Sequence, residues 1–210
     1  MKTWRFIKIN SIEDNLPHTR NNTIVLPTNF YENLNNYKNN NDIDGAIIDC
    51  GITLIHEKSH IFQRQQPDIF RHLYKKYWKF YNPTSINNLG LINRNRTNPD
   101  GVDIKWIYRK KNSYVMPIAL YKKDSTSLTD VDYVLIEVSK INNRFHLSNR
   151  YDLINKDDAY LNFFGSSNNY HPNEICATYF ELYFKEVPVK RLGNNLPCSF
   201  TKLNKKSGSL

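Results

Sequence analysis

Two histidines four residues apart, with a glutamate beside the first, stand out in His56-Glu57-Lys58-Ser59-His60 as the side chains best suited to chemistry. On a helix, residues four apart lie one above the other on the same face. His56 and His60 can therefore offer two imidazole nitrogens to one metal ion. Glu57 sits one step round that turn, where its carboxylate reaches a water on the metal. Two neutral nitrogen ligands and an adjacent base are what zinc-assisted hydrolysis needs. A chance match somewhere in 210 residues has odds of roughly one in a few hundred, so the elements around the motif must carry part of the argument.

Those side chains need a helix, and the preceding run predicts one. Ile47, Ile48, Gly51, Leu54, Ile55, Ile61 and Phe62 suit a helix with one buried flank. Asp42 or Asp44 can cap its start. Gly45 and Gly51 each cost about 1 kcal/mol relative to Ala in a helix interior, and a small residue at 51 would let another backbone come close. Pro67-Asp68 closes this helix and opens a second, expected from Pro67 to about Tyr81, with Phe70, Leu73, Tyr74, Tyr77 and Trp78 at core spacing.

Short strands are expected at Trp4–Ile9 and Ile24–Pro27, and a surface loop or short frayed helix at the Asn-rich stretch 33–41. Asn98-Pro99-Asp100-Gly101 reads as a turn. Strands follow at Ile104–Tyr108, Tyr114–Tyr121 and Tyr133–Val138, with a weaker fourth at Arg144–Leu147. A hairpin turn falls at 110–113 and a polar loop at 124–130. His171-Pro172-Asn173-Glu174-Ile175-Cys176-Ala177 opens a buried helix, with Pro172 in its first turn. From Leu192 the chain reads as an irregular tail.

Catalytic zinc takes three protein ligands and leaves one position open. Gln63 and Gln66 stand where one arrangement would place a glycine and a third histidine, which excludes it. His72 on the following helix is one candidate. Glu174 is another, because a carboxylate in a first helical turn also gains from the helix dipole.

Bulk composition limits the alternatives. The hydrophobic fraction is 40% with 13% aromatics, enough for a core. No stretch approaches the roughly 18 apolar residues of a membrane span, and the start lacks a secretory signal. Three cysteines, Cys50, Cys176 and Cys198, make no disulfide framework and no Cys-x-x-Cys zinc site, so a reducing, intracellular setting is expected. The net charge is +9, with basic residues scattered and densest at Arg109-Lys110-Lys111, Lys122-Lys123 and Lys205-Lys206. No nucleic-acid-binding motif accompanies them.

The pentapeptide His56–His60, followed far downstream by His171–Ala177, resembles the gluzincin branch of zinc metallopeptidases, and among them the small single-domain minigluzincins. The Asn- and Lys-rich character is similar to that of metallopeptidases encoded by large DNA viruses. His18–Pro27 resembles the strand that precedes the motif helix in such proteins. The resemblance implies an α+β, zincin-like fold. A motif helix and a glutamate helix would pack with a small mixed or antiparallel sheet, and a β-rich insertion would lie between them. It implies one catalytic domain over 1–191, with an irregular tail over 192–210. It implies Zn2+ held by His56, His60 and Glu174, with Glu57 as the base of a metalloendopeptidase. Tyr170 or His171 would stabilise the oxyanion, with His146 and His18 behind them. An unpaired strand edge from about Thr23 to Leu26 could bind an extended peptide by β-addition. A monomer acting on peptide or protein substrates is expected. One position departs from the pattern: gluzincins carry Asp four residues after the ligand Glu to orient a zinc-bound His, and this chain has Thr178. Thr178, a backbone carbonyl or Asp49 would have to serve. That loss motivates a rival expectation, a catalytically weak or inactive zincin-like module that binds a protein partner.

Overall fold

In the computed structural model, residues 3–10, 13–83, 86–87, 91–96, 100, 106–125 and 127–185 are described. The chain builds a mixed α+β structure from two sheets and a set of helices. Strands β1 (Phe6–Ile9), β2 (His18–Arg20) and β3 (Thr23–Pro27) form the first sheet in the order β1-β3-β2. β3 runs parallel to β1 and antiparallel to β2. The β2–β3 turn places Asn21 at φ 52, a left-handed conformation that asparagine tolerates. The Thr23–Leu26 segment is thus the central strand, hydrogen-bonded on both sides, and the expected free edge is not there. The outer edges belong to β1 and β2.

Helix α1 (Thr28–Asn39) occupies the Asn-rich stretch. Asparagine is a poor helix former, but Phe30, Tyr31 and Tyr37 pack against Ile24, Leu26 and Ile61, and that burial overrides local propensity. Asp42 caps α2 (Ile43–Ala46) by accepting from the Gly45 N–H at 2.8 Å. A side chain at Gly45 would collide with that carboxylate and with the Tyr37 ring. The chain continues through a π-helical turn, Ile47–Gly51, into the motif helix α3 (Ile52–Gln65). The wider turn shifts the helical register. Ile47 and Ile48 consequently stay 61% and 52% exposed instead of joining a buried flank, while Cys50, Ile52, Glu57, His60, Ile61 and Gln63 turn inward. No second backbone crowds Gly51, where an added side chain would meet only Ile47 at 3.9 Å.

Pro67 opens α4 (Pro67–Lys76), which stops short of the expected end and gives way to β4 (Phe80–Tyr81). The second sheet has the order β4-β6-β7-β8-β9-β5, with β5 at Ile86–Asn87, β6 at Ile107–Lys110, β7 at Ser113–Tyr121, β8 at Val131–Ile141 and β9 at Arg144–Leu153. β6 to β9 form an antiparallel meander, and β5 joins β9 in parallel. β7 is buried on both faces from Val115 to Leu120 and reads as an apolar run without clean alternation, whereas β9 is mostly exposed and polar. Val115, Ala119 and Leu135 face the helices, while Met116, Ile118, Leu120, Val134, Ile136 and Val138 face the other way.

A short helix unread from the sequence, α5 (Asp158–Phe164), precedes α6 (Pro172–Phe184). α4, α5 and α6 meet the sheet in an aromatic core of Phe70, Tyr74, Trp78, Phe80, Tyr160, Phe164 and Tyr179. Most of the 98–101 turn, the start of the strand expected at 104, and the tail with Cys198 and Lys205-Lys206 lie outside the described residues. Among the described residues, no helix is long and apolar enough to cross a membrane.

Candidate metal centre

The site forms where α3 packs against the first turn of α6. His56 and His60 project from consecutive turns of α3, and Glu174 comes from the third residue of α6. The N-cap of α6 is His171, whose Nδ1 accepts from the Asn173 N–H at 3.1 Å. The loop before it is pinned by Tyr160, which donates to the Asn169 carbonyl at 2.7 Å, and by Asn169, which donates to the Gly165 carbonyl at 2.6 Å. Gly165 takes φ 80, a conformation that favours glycine. Tertiary anchors of this kind set where Glu174 points.

The donor atoms converge. His56 Nε2 and His60 Nε2 are 3.1 Å apart. The Glu174 carboxylate straddles them, with Oε2 at 3.3 Å from His56 Nε2 and Oε1 at 3.4 Å from His60 Nε2. Tetrahedral zinc with bonds of about 2.0–2.1 Å sets neighbouring donor atoms about 3.3 Å apart. The spacing therefore fits a zinc-sized ion. His72 is exposed on α4 against Tyr77 and lies away from this group.

The outer nitrogens fix the tautomers. Gln63 Nε2 donates to the Asn173 carbonyl at 2.9 Å, so its Oε1 faces His60 Nδ1, also at 2.9 Å. His60 must donate from Nδ1, which leaves the Nε2 lone pair facing inward. On His56, Nδ1 is hydrogen-bonded to Glu181 Oε1. Glu181 lies seven residues after Glu174, two turns along the same face of α6. Glu181, and not Thr178, a backbone carbonyl or Asp49, is the group that holds the outer nitrogen of His56. The Thr178 hydroxyl is buried without a hydrogen-bond partner among the described residues, and Asp49 is taken by Tyr37. Carboxylate or amide partners on the far nitrogen are the usual means of orienting metal-bound histidines.

Charge follows from this arrangement. Burial pulls the His56 pKa down, but hydrogen bonds to Glu174 and Glu181 outweigh that and hold it well above the ordinary value. Burial opposes ionisation of Glu174, but His60 and His56 outweigh it and lower its pKa to about 2. Glu57 is only 4% exposed, and its Oε2 has no hydrogen-bond partner among the described residues. Burial first, then the neighbouring Asp100 carboxylate, push Glu57 well above the ordinary carboxylate range. A buried carboxylate oxygen without a partner is costly unless something else uses it.

A cavity of about 270 Å³ opens onto His56, Glu57 and Glu174, with Asp100, Arg96, Tyr133, Asn168 and Tyr170 among its other walls. Tyr170 therefore reaches the chamber. His171 is not among the lining residues; it is engaged as the helix cap. His146 is on β9, paired with β5 and β8, and His18 is buried with Nδ1 against the Leu16 carbonyl. Asp100 is held by the Thr19 N–H and hydroxyl, both at 2.6 Å, and lies 4.0 Å from His60 Nε2. Arg64, one turn beyond His60, donates to the Asp100 carbonyl at 2.9 Å and to Thr19 Oγ1 at 2.6 Å. Glu57, His60 and Asp100 form a second group with metal-ligand spacing that shares His60.

Glu181, Asp100 and Arg96 were missed by the sequence reading. Only Glu181 left a signal there, a carboxylate at helical spacing from the ligand Glu. Comparison with protein-family models, curated proteins and solved structures returns no match.

Proposed function

We propose that this protein is a zinc-dependent peptidase of zincin-like design, with His56, His60 and Glu174 as metal ligands and Glu57 as general base. The observation that carries the reading is the pairing of three donor side chains at zinc-like spacing with an unpartnered buried carboxylate beside them. Two lone-pair nitrogens 3.1 Å apart repel unless a proton or a cation lies between them. Zinc held there supplies Lewis-acid polarisation to water and to a peptide carbonyl.

The chain's own groups do the rest. Glu57 takes a proton from water as its oxygen attacks the carbonyl carbon, then returns it to the amide nitrogen as the C–N bond breaks. Tyr170, on the cavity wall, is the donor for the developing oxyanion. Glu181 and Gln63 hold the outer nitrogens of both histidines and so aim the inner ones. Peptides and unfolded proteins are the proposed substrates.

Glu57→Gln tests the assignment, because it keeps the shape and removes the base. Cleavage of an unfolded protein should fall on the order of 10²–10⁴-fold, with zinc content unchanged. Undiminished cleavage by Glu57→Gln would remove Glu57 from the role. Full zinc occupancy with no cleavage by the parent protein would favour a binding module instead.

A further inference from the structure

Facing the metal centre across the cavity is a group that the proposed reaction does not use. Arg96 is the one permanent cation among the described residues that line this chamber; its other ionisable walls are His56, Glu57, Asp100, Glu174 and the two tyrosines. It is placed by structure, not by chance of a flexible side chain. The Arg96 N–H donates to the Ala119 carbonyl at 2.9 Å, and Asn95 bridges to Leu120, so the backbone is fastened to β7. One end of the guanidinium, Nη1, donates to the Leu128 carbonyl at 3.2 Å. Its Cζ lies over the Tyr170 ring, 4.8 Å from the centroid, and Tyr170 in turn stacks on Tyr133 at 4.9 Å. Nε is buried and has no hydrogen-bond partner among the described residues.

Desolvating a guanidinium and leaving one of its donors unpaired is unfavourable. Tyr170 offsets part of that cost by stacking and hydrogen bonding, but Nε stays unpartnered among the described residues. No carboxylate forms a salt bridge to Arg96 among the described residues. The nearest acidic groups are already committed: Glu174 to both histidines, and Asp100 Oδ1 to Thr19. A planar cation held this way is suited to a carboxylate brought in by a ligand.

We propose that Arg96 is the substrate-selecting residue of the chamber and binds a carboxylate on the residue next to the bond to be cleaved. This rests on the peptidase reading. A sphere of the cavity's volume is about 8 Å across, the length of about two extended residues, so a carboxylate at Arg96 belongs to a residue adjoining the scissile carbonyl. Either an acidic side chain or a free C-terminus supplies that chemistry.

The test uses the zinc-loaded full chain and three short peptidyl hydroxamates titrated by calorimetry. One carries a glutamate and an amidated C-terminus. The second is its all-amide twin with glutamine. The third has glutamine and a free C-terminal carboxylate. At least one carboxylate probe should bind about tenfold or more tightly than the all-amide twin. A preference for the first identifies an acidic side chain, and a preference for the third a free C-terminus. The preference should shrink to under about twofold in Arg96→Gln and survive in part in Arg96→Lys. Equal binding of all three probes to the parent protein overturns the proposal while leaving the metal centre standing. So does a preference that Arg96→Gln retains. Failure of even the all-amide hydroxamate to bind removes the zinc reading, and the proposal with it. Should Arg96→Gln not fold, the parent titrations and Arg96→Lys decide the matter.

Discussion

His56 and His60 are the same side chain one helical turn apart, yet opposite kinds of partner hold them. His60 is 1% exposed and answers to a neutral amide, Gln63, itself tied to the Asn173 carbonyl. His56 is 13% exposed and answers to a carboxylate, Glu181, which is 21% exposed. With Glu174 and Asp100 already buried at its inner nitrogen, a further carboxylate on the outer side of His60 would add a heavy desolvation cost, whereas solvent at the rim bears part of the cost for Glu181. The two halves of the centre therefore divide their duties. The inner half builds the α3–α6 contact, and the outer half sets the basicity of His56, a ligand in the proposed centre.

The sharpest way to break that division is to remove each partner. Glu181→Ala should weaken zinc binding by roughly 10–100-fold with little loss of stability, since water can replace a partner at the rim. Gln63→Ala should lower stability by roughly 1–3 kcal/mol and lower the melting temperature, because it orphans the His60 Nδ1–H and the Asn173 carbonyl together. Competition titration with a chelator and thermal unfolding read the two effects. Equal effects on both readouts from both variants would erase the distinction.

A smaller effect follows from the proton that metal must displace. The folded pKa of His56 is raised, so its charged contacts stabilise the metal-free protein below the ordinary histidine pKa. That contribution fades as pH rises through the raised value. Zinc requires the neutral imidazole. Below the raised pKa, zinc binding should therefore release about one proton, and affinity should climb with pH. Calorimetry in two buffers of different ionisation enthalpy measures the release; none at neutral pH would place no proton on His56.

Thr178→Val should change least. Its hydroxyl is buried and unpartnered, so an apolar replacement of the same shape is close to neutral, within about 1 kcal/mol. Zinc affinity should not move. A loss comparable to that of Glu181→Ala would return the orienting role to position 178.

What the sequence made legible follows the range of the interactions. His56, Glu57 and His60 could be read because helical periodicity is local. Glu174 could be read in part, because a proline opens its helix and a first-turn carboxylate has a local rationale. Glu181 is less legible, because seven residues after Glu174 return to the same helical face as four do and the spacing alone does not choose between them. Arg96 and Asp100 reach the chamber from a segment between α4 and β6 without periodic pattern, and only tertiary contacts bring them there. The central place of β3 depends on β1, which pairs from well upstream and leaves no mark in β3 itself. The exposed Ile47 and Ile48 escaped because a π turn, invisible to a 3.6-residue count, rotates the helix just before the motif. α1 shows the reverse case, where a few buried aromatics overrule a run of asparagines.

The most direct measurement is metal content with and without the distant carboxylate. The purified full chain, supplied with zinc and then dialysed, should retain about one zinc per molecule, and Glu174→Ala should lose it while keeping the fold by circular dichroism. A parent chain that retains no zinc, or a Glu174→Ala variant that retains it as well as the parent, would contradict the account.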